Sequence, residues 1–292
     1  MSRTKHVVSI SLGSSTRDVQ VETEILGTPV LIERRGVDGD TAKAKALFEA
    51  LDGKVDAFGL GGTDLFIMVG GRRYYLRQSL KITRPARRTP VVCGAGLKDT
   101  LERTVVEKLE PIIGWRDKKV LMVLAADRFG MAEALDSAGA EMIFGDLIFG
   151  LGIPVPIKSL RGLDLVARLI APVVTQVPIQ WLYPTGRSQE SSHKSWRSRY
   201  FDWADVIAGD FHYIRRYLPE QMPGKIVLTN TTTAEDVGLL RKRGGNDARH
   251  HYPALRWAQP ADQSARGLVC GRHRQAPALE RGLPGAVGQV GA

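Results

Sequence analysis

The stretch KKVLMVLAADRFGMAEALDSAGAEMIFGD, residues 118–146, decides how the second half of the chain folds. KVLMVLAA is a continuous apolar run, the pattern of a strand buried on both faces. FGMAEALDSAG is a helix that ends on glycine, and AEMIFGD is a second apolar strand. Strand, helix and strand within about thirty residues make a βαβ unit. Further along, IQWLYP, DVIAGD and KIVLTN repeat the strand pattern. LRGLDLVARLIAPVVTQ, SHKSWRSRYFDWA, HYIRRYLPEQM and TAEDVGLLRKRG supply the helices. This alternation predicts an α/β fold, with a Rossmann-like, doubly wound parallel sheet over residues 115–244.

Residues 1–114 predict a separate, mixed α/β domain. HVVSISLG and VQVETEIL alternate with the period of a strand, and PVLIERRG follows Gly27-Thr28 as a hairpin partner. TAKAKALFEALDG has helical spacing, a cap at Asp40 or Thr41 and a terminal Gly53. VDAFGLGG is a strand ending in glycines, and DLFIMV-GG-RRYYLRQ is a hairpin turning on Gly70-Gly71. TPVVCGAG is another strand, and the helix LKDTLERTVVEKLEP closes the domain. Pro111 and Gly114 mark the expected boundary.

From residue 245 to 292 the alternation stops. This stretch has no Ile, Met, Phe, Thr or Lys, yet holds half of the six histidines. A one-nucleotide forward shift through Asn246–Tyr252, with GC-rich codons, reads TMLVTTTPRFDGRSLPTNLLEA. That is the strand, turn and helix start the sheet calls for, so the tail is read as an out-of-frame, poorly structured translation. His250, His251, Cys270 and His273 lack any zinc-ligand spacing, and no metal is expected there.

With 43% hydrophobic and 25% charged residues, the composition is that of a globular protein. No apolar run is long enough for a membrane span, and two cysteines are too few for a disulfide framework, so a cytoplasmic location is expected. The formal net charge of +10 suits an anionic small-molecule partner. Zinc-finger spacing, an RNP-like aromatic string and long Lys/Arg blocks are absent, so no specific nucleic-acid partner is expected. Arg72, Arg73, Arg77, Lys81, Arg84, Arg87 and Arg88 form a basic run, read as a solvated hairpin face or a steering surface. The sequence is compatible with a homo-oligomer.

In an open parallel sheet, ligands bind beyond the carboxyl ends of the strands. Those ends are polar here: Asp127-Arg128, Gly145-Asp146, PTGRSQES with Arg187, Gly209-Asp210 with His212 nearby, and TNTTT with Asn230 and Thr231. Laid on the G-x-G-x-x-G fingerprint, the first strand–helix turn puts Ala125 and Asp127 at the first two glycines and Gly130 at the third, which lets the helix pack close to the strand. Asp127 opposes a pyrophosphate at that position. Asp146 stands where an acid would bind an adenine ribose. In the first domain VVCGAGLKDT sets Lys98 in the first turn of a helix, a second candidate anion site. Cys93 beside Gly94 is a candidate nucleophile as well as a small core residue. No Walker A loop or G-x-S-x-G motif occurs. SISLGSSTRD is similar to the phosphate-1 region of actin-like sugar kinases but carries Ser11 where that motif has Asp.

VSISLGSSTRD, GLGGTDL, TPVVCGAGLKDTLER, GDFHYI and TNTTTAEDV together resemble bacterial proteins labelled quinate 5-dehydrogenase, over residues 6 to about 244. The resemblance implies oxidation of a small cyclic hydroxy acid, quinate- or shikimate-like, with NAD or NADP. The chain departs from the shikimate dehydrogenase pattern in lacking N-V-T-x-P-x-K and in its AADRFG loop, so no catalytic residue is carried over. From the residues themselves, Asp127, Asp210 or His212 is the expected base. Lys98, Arg128 or Arg187 is expected to hold the substrate carboxylate, and Gly130, Asp146, Asn230 and Thr231 are expected at the cofactor. The alternative is a non-catalytic, small-anion- or nucleotide-binding regulatory protein with a degenerate Rossmann site.

Overall fold

The computed structural model describes residues 3–177, 196–230, 232, 234–244 and 268–270. The expected IQWLYP strand and Arg187 lie outside them, as do Thr231 and all of 245–292 except Leu268–Cys270.

The first sheet has the order β2-β3-β1-β4-β7. β1 (Lys5–Ser11) lies in its middle, parallel to both β3 (Thr28–Gly36) and β4 (Ala57–Gly61). β2 (Val19–Ile25) pairs antiparallel with β3, which is the expected hairpin, and β7 (Val91–Cys93) runs parallel to β4. Val8 and Ile10 of β1 and Phe58 and Leu60 of β4 alternate onto one face, where α1 (Thr41–Leu51) buries Ala44 and Phe48. Phe48 meets Phe58 edge-on at 5.0 Å between ring centroids. Asp40 caps α1 by accepting from Ala42 and Lys43.

The basic run divides differently from its sequence reading. Arg72 and Arg73 lie in the hairpin of β5 (Phe66–Val69) and β6 (Arg72–Tyr75), but Arg77–Thr83 is a helix, α2. Ser79, Ile82 and Thr83 are its buried residues, three and four apart as one helix face requires.

The second sheet has the order β12-β11-β10-β8-β9, with β8 (Lys119–Met122), β9 (Glu141–Phe144), β10 (Val206–Asp210) and β11 (Ile226–Asn230) all parallel. β12 (Leu268–Cys270) runs antiparallel beside β11. Successive residues of each parallel strand enter opposite cores. Val120, Met122, Val206, Ala208, Ile226 and Leu228 face one, while Leu121, Ile207 and Val227 face the other. Both faces are therefore dry, as the apolar runs required. α4 (Phe129–Ser137) and α5 (Leu160–Val174) cover the first face; α6 (Ser198–Trp203), α7 (Phe211–Tyr217) and α8 (Ala234–Arg243) cover the second. The protein is thus a mixed α/β unit followed by a doubly wound, parallel-sheet domain. Among the described residues, no helix is long and apolar enough to cross a membrane.

α3 (Ala95–Ile113), assigned from sequence to the first domain, continues through Pro111 and stops at Gly114, whose φ is 62°. It places Val106, Leu109 and Ile113 in the second core beside Trp115. The Trp115 indole N–H donates to the Val106 carbonyl at 2.8 Å. The β5–β6 hairpin adds Ile67, Val69 and Tyr74 to the same core.

The third fingerprint glycine has a different neighbour from the one expected. A Cβ on Gly130 would lie 2.5 Å from Asp99 Oδ1 and 2.8 Å from the Asp99 carbonyl, so Gly130 lets α4 approach helix α3, not a strand. Gly130→Ala is expected to destabilise the fold by about 1–3 kcal/mol, an overpacking effect. A urea midpoint unchanged from the wild type would contradict this packing.

Candidate functional site between the two sheets

Each sheet has a point where the chain leaves a strand to opposite sides, between β1 and β4 in the first and between β8 and β10 in the second. Asp64 follows the end of β4, Asp127 and Arg128 follow β8, and Asp210 ends β10. α3 brings Lys98 and Glu102, four residues apart on one helix face, to this group: Lys98 meets Asp64 and Asp127, Glu102 meets Arg128, and Arg128 in turn holds Asp210.

Lys98 Nζ lies 2.6 Å from Asp64 Oδ2 and 3.0 Å from Asp127 Oδ2, so it links the carboxyl edges of the two sheets. The Arg128 guanidinium, with 1% of its side chain exposed, donates from Nη1 to Glu102 and from Nη2 to Asp210 Oδ2 at 2.8 Å. Beside this cluster is a narrow, solvent-open cleft with room inside for about one water molecule (about 10 Å³), lined by Asp64, Lys98, Asp127 and Arg128, with Phe66 and Phe129 among its apolar walls. Asp64 and Glu102 were not expected as site residues. The signal for Asp64 was an acid just after the strand-ending glycines of GLGGTD. Glu102 carried no signal of its own beyond its spacing from Lys98.

Burial sets the protonation of these groups. It pushes the Asp64 carboxyl up, with help from Asp127 and against the pull of Lys98. It works against the Lys98 charge, but the Asp127 and Asp64 carboxylates outweigh it and hold the ammonium above the ordinary lysine range. Glu102 is pushed up to about 7 by burial, even beside Arg128. Its Oε2 has no hydrogen-bond partner among the described residues. For Asp210, burial is overcome by Arg128 and His212, and the carboxyl is held below the usual range.

The other expected residues have specific places. Asp146, partly buried, turns back under the β8–α4 turn and accepts from the Ala125 N–H at 3.1 Å and the Ala126 N–H at 2.9 Å. Burial pushes its carboxyl up to about 6 despite these bonds. Asp210 caps α7, accepting from the His212 N–H at 2.9 Å, and His212 itself is exposed. Of the three cations expected to hold a substrate carboxylate, Lys98 and Arg128 are already paired with acidic side chains of the chain, and Arg187 lies outside the described residues. Asn230 ends β11 opposite Asp210. Cys93 is partly exposed at the end of β7. Among the described residues, no group of three His, Cys, Asp or Glu side chains is placed to hold a metal ion.

A nicotinamide dinucleotide fails the fit at its usual seat. In the doubly wound fold, its pyrophosphate rests on main-chain N–H groups of the first strand–helix turn. Here the Asp146 carboxylate takes those of Ala125 and Ala126, and the Asp127 carboxylate stands in the same turn.

The raised Glu102 pKa has a defined sign in stability. Folded Glu102 keeps its proton to about 7, while the unfolded side chain loses it near 4.5, so stability falls as pH rises across that window. Asp146 acts with the same sign between 3.8 and about 6, and Asp210 acts oppositely below 3.8. Glu102→Gln, which keeps an oxygen for Arg128, is expected to remove the slope between pH about 6 and about 7. Urea midpoints with equal slopes in wild type and variant across that interval would contradict the assignment.

Comparison with known proteins follows the same two-part division. The profile "Domain of unknown function (DUF8753)" matches residues 6–93, and "Domain of unknown function (DUF8754)" matches residues 96–250. No curated protein matches the chain. Among solved structures, the catalytic subunit of M. jannaschii aspartate transcarbamoylase is similar at 13% identity, with a TM-score of 0.33 over 80% of this chain and 75% of that one. The DUF8754 profile spans more than half of the sequence, and the chain belongs to that family.

Proposed function

We propose that the protein is an enzyme of the oxidoreductase class that binds a small cyclic hydroxy acid, quinate- or shikimate-like, at the mouth of the cleft between the sheets, which opens to admit it. The observation that carries this reading is the Asp64–Lys98–Asp127 cluster: a buried carboxyl with a raised pKa, held 2.6 Å from a lysine ammonium at the edge of a cleft. Oxidising a secondary alcohol requires a group that takes the hydroxyl proton. In this reading Asp64 accepts that proton, and Lys98 stabilises the negative charge developing on the same oxygen. Asp127 accepts a hydrogen bond from a neighbouring hydroxyl, and Phe66 and Phe129 cover the apolar face of the ring. The lining favours hydroxyl groups over the carboxylate, because Lys98 and Arg128 are already neutralised. The substrate carboxylate then points out of the cleft. The carbinol hydride passes to a soluble two-electron acceptor that binds with the substrate, as the carbon–oxygen bond becomes a carbonyl; with Asp146 on the turn amides, that acceptor would not take the usual nicotinamide seat.

That Asp146 contact favours a second reading, a small-molecule-binding regulatory protein that performs no chemistry. The two readings separate in one set of measurements with quinate and shikimate. Calorimetry reports binding, and turnover is followed with NAD, with NADP and with an artificial electron acceptor. For the enzyme, Asp64→Asn is expected to lower kcat about 10²–10⁴-fold, the range for loss of a general base, while binding changes little. Binding without turnover under any acceptor supports the regulatory reading. If neither compound binds, both readings fail for this substrate class.

A further inference from the structure

A second concave site lies on the opposite edge of the first sheet. The cleft described above sits beyond the carboxyl ends of β4 and β7, whereas Asp52–Lys54 and Arg84–Thr89 precede the amino ends of the same strands. Between them is an open depression of about 650 Å³, with Lys45, Lys81, Arg84, Arg87 and Arg88 along its walls and Glu49 and Asp52 as its two acids.

The cations could be an ordinary wet surface, but the construction beneath them argues otherwise. Among the described residues, Asp52 does not pair with any guanidinium. Its carboxylate accepts from the main-chain N–H groups of Arg87 at 3.0 Å, Arg88 at 2.9 Å and Thr89 at 2.9 Å. Partial desolvation opposes the charge, yet the three N–H groups hold the carboxyl down to about 2. The loop is pinned again where the Gly53 N–H donates to Thr89 Oγ1 at 2.8 Å and where Thr89 Oγ1 donates to the Val55 carbonyl. Gly53, at φ +75°, leaves room for Arg88: a Cβ there would lie 3.1 Å from Arg88 Cδ. One acid thus orders the loop that carries two arginines and leaves their side chains for another partner. Among the described residues, none of the five cations is engaged in an ion pair.

We propose that this depression is a ligand site for an anion built on a polyphosphate chain. Guanidinium forks match phosphate oxygens in pairs, and a fixed loop lowers the ordering cost of binding. The depression exceeds what a single phosphate fills. Its lining has no aromatic side chain on which a nucleobase of a single strand could stack, which sets it apart from a single-stranded nucleic-acid groove.

The test is calorimetric titration of the full chain at low salt with sodium tripolyphosphate, with adenosine triphosphate and with a duplex DNA oligomer. Both phosphate compounds are expected to bind, and the Arg87→Glu/Arg88→Glu variant is expected to bind them at least about tenfold more weakly. Equal affinity for the two compounds identifies the phosphate chain as the whole determinant, and tighter binding of adenosine triphosphate identifies a nucleotide source. Asp52→Asn adds a net positive charge but removes the carboxylate that orders the loop. Weaker binding by this variant, with an unchanged circular dichroism spectrum, supports a built site. Any of four results overturns the proposal: no binding by wild type, equal binding by the double variant, equal or tighter binding by Asp52→Asn, or tighter binding of the duplex than of either phosphate compound.

Discussion

Two cations, Lys98 partly buried and Arg128 fully buried, each held between two acidic side chains, are the constraint on which the junction of the two sheets depends. Lys98 lies between Asp64 and Asp127, and Arg128 between Glu102 and Asp210. Removing either cation leaves its acidic partners without a counter-charge, and breaking a buried pair in this way costs about 3–5 kcal/mol. The arrangement therefore forms as a unit. α3 makes it: Trp115, Val106 and Leu109 fix its far end in the second core, and Lys98 and Glu102 project from its near end into the junction. The same helix gives the family division its physical meaning. The two profiles meet at residues 93 and 96, just where β7 ends and α3 begins.

The second sheet was legible because a strand buried on both faces must be apolar where it is covered, and β8, β9, β10 and β11 are apolar apart from polar residues at their ends. The β2–β3 hairpin and the Asp40 cap of α1 followed from equally local rules. α2 was hidden by composition. Its arginines and lysine suggested a wet hairpin, while the spacing of Ser79, Ile82 and Thr83 already described a helix face. The attachment of α3 to the second core was not legible, because the partners of Val106 and Ile113 lie on strands and helices further along the chain.

The site was located by strand-end polarity but not resolved by it. The pattern brought Asp127, Arg128, Asp210 and Lys98 forward, and these do meet. It could not show that the cations are neutralised by the chain's own acids, because Glu102 lies in mid-helix and Asp64 lies in the other half. Asp146 illustrates the same limit. An acid twenty residues beyond the fingerprint can reach a ribose or the turn amides, and spacing does not choose between them. Here the turn has no closely packed glycines, its buried N–H groups need an acceptor, and the Asp146 carboxylate supplies it. The small-residue turn that would have admitted a phosphate is replaced by one that already carries its own anion.

The central claim is that Lys98 joins the two sheet edges as a charged group clamped by Asp64 and Asp127. Its most direct test is nitrogen-15 NMR titration of the Lys98 side chain, assigned with a Lys98→Arg variant. Clamped between two carboxylates, the ammonium is expected to keep its proton beyond the ordinary lysine value of 10.5. Deprotonation at or below that value is what burial without partners would produce, and it would contradict the account.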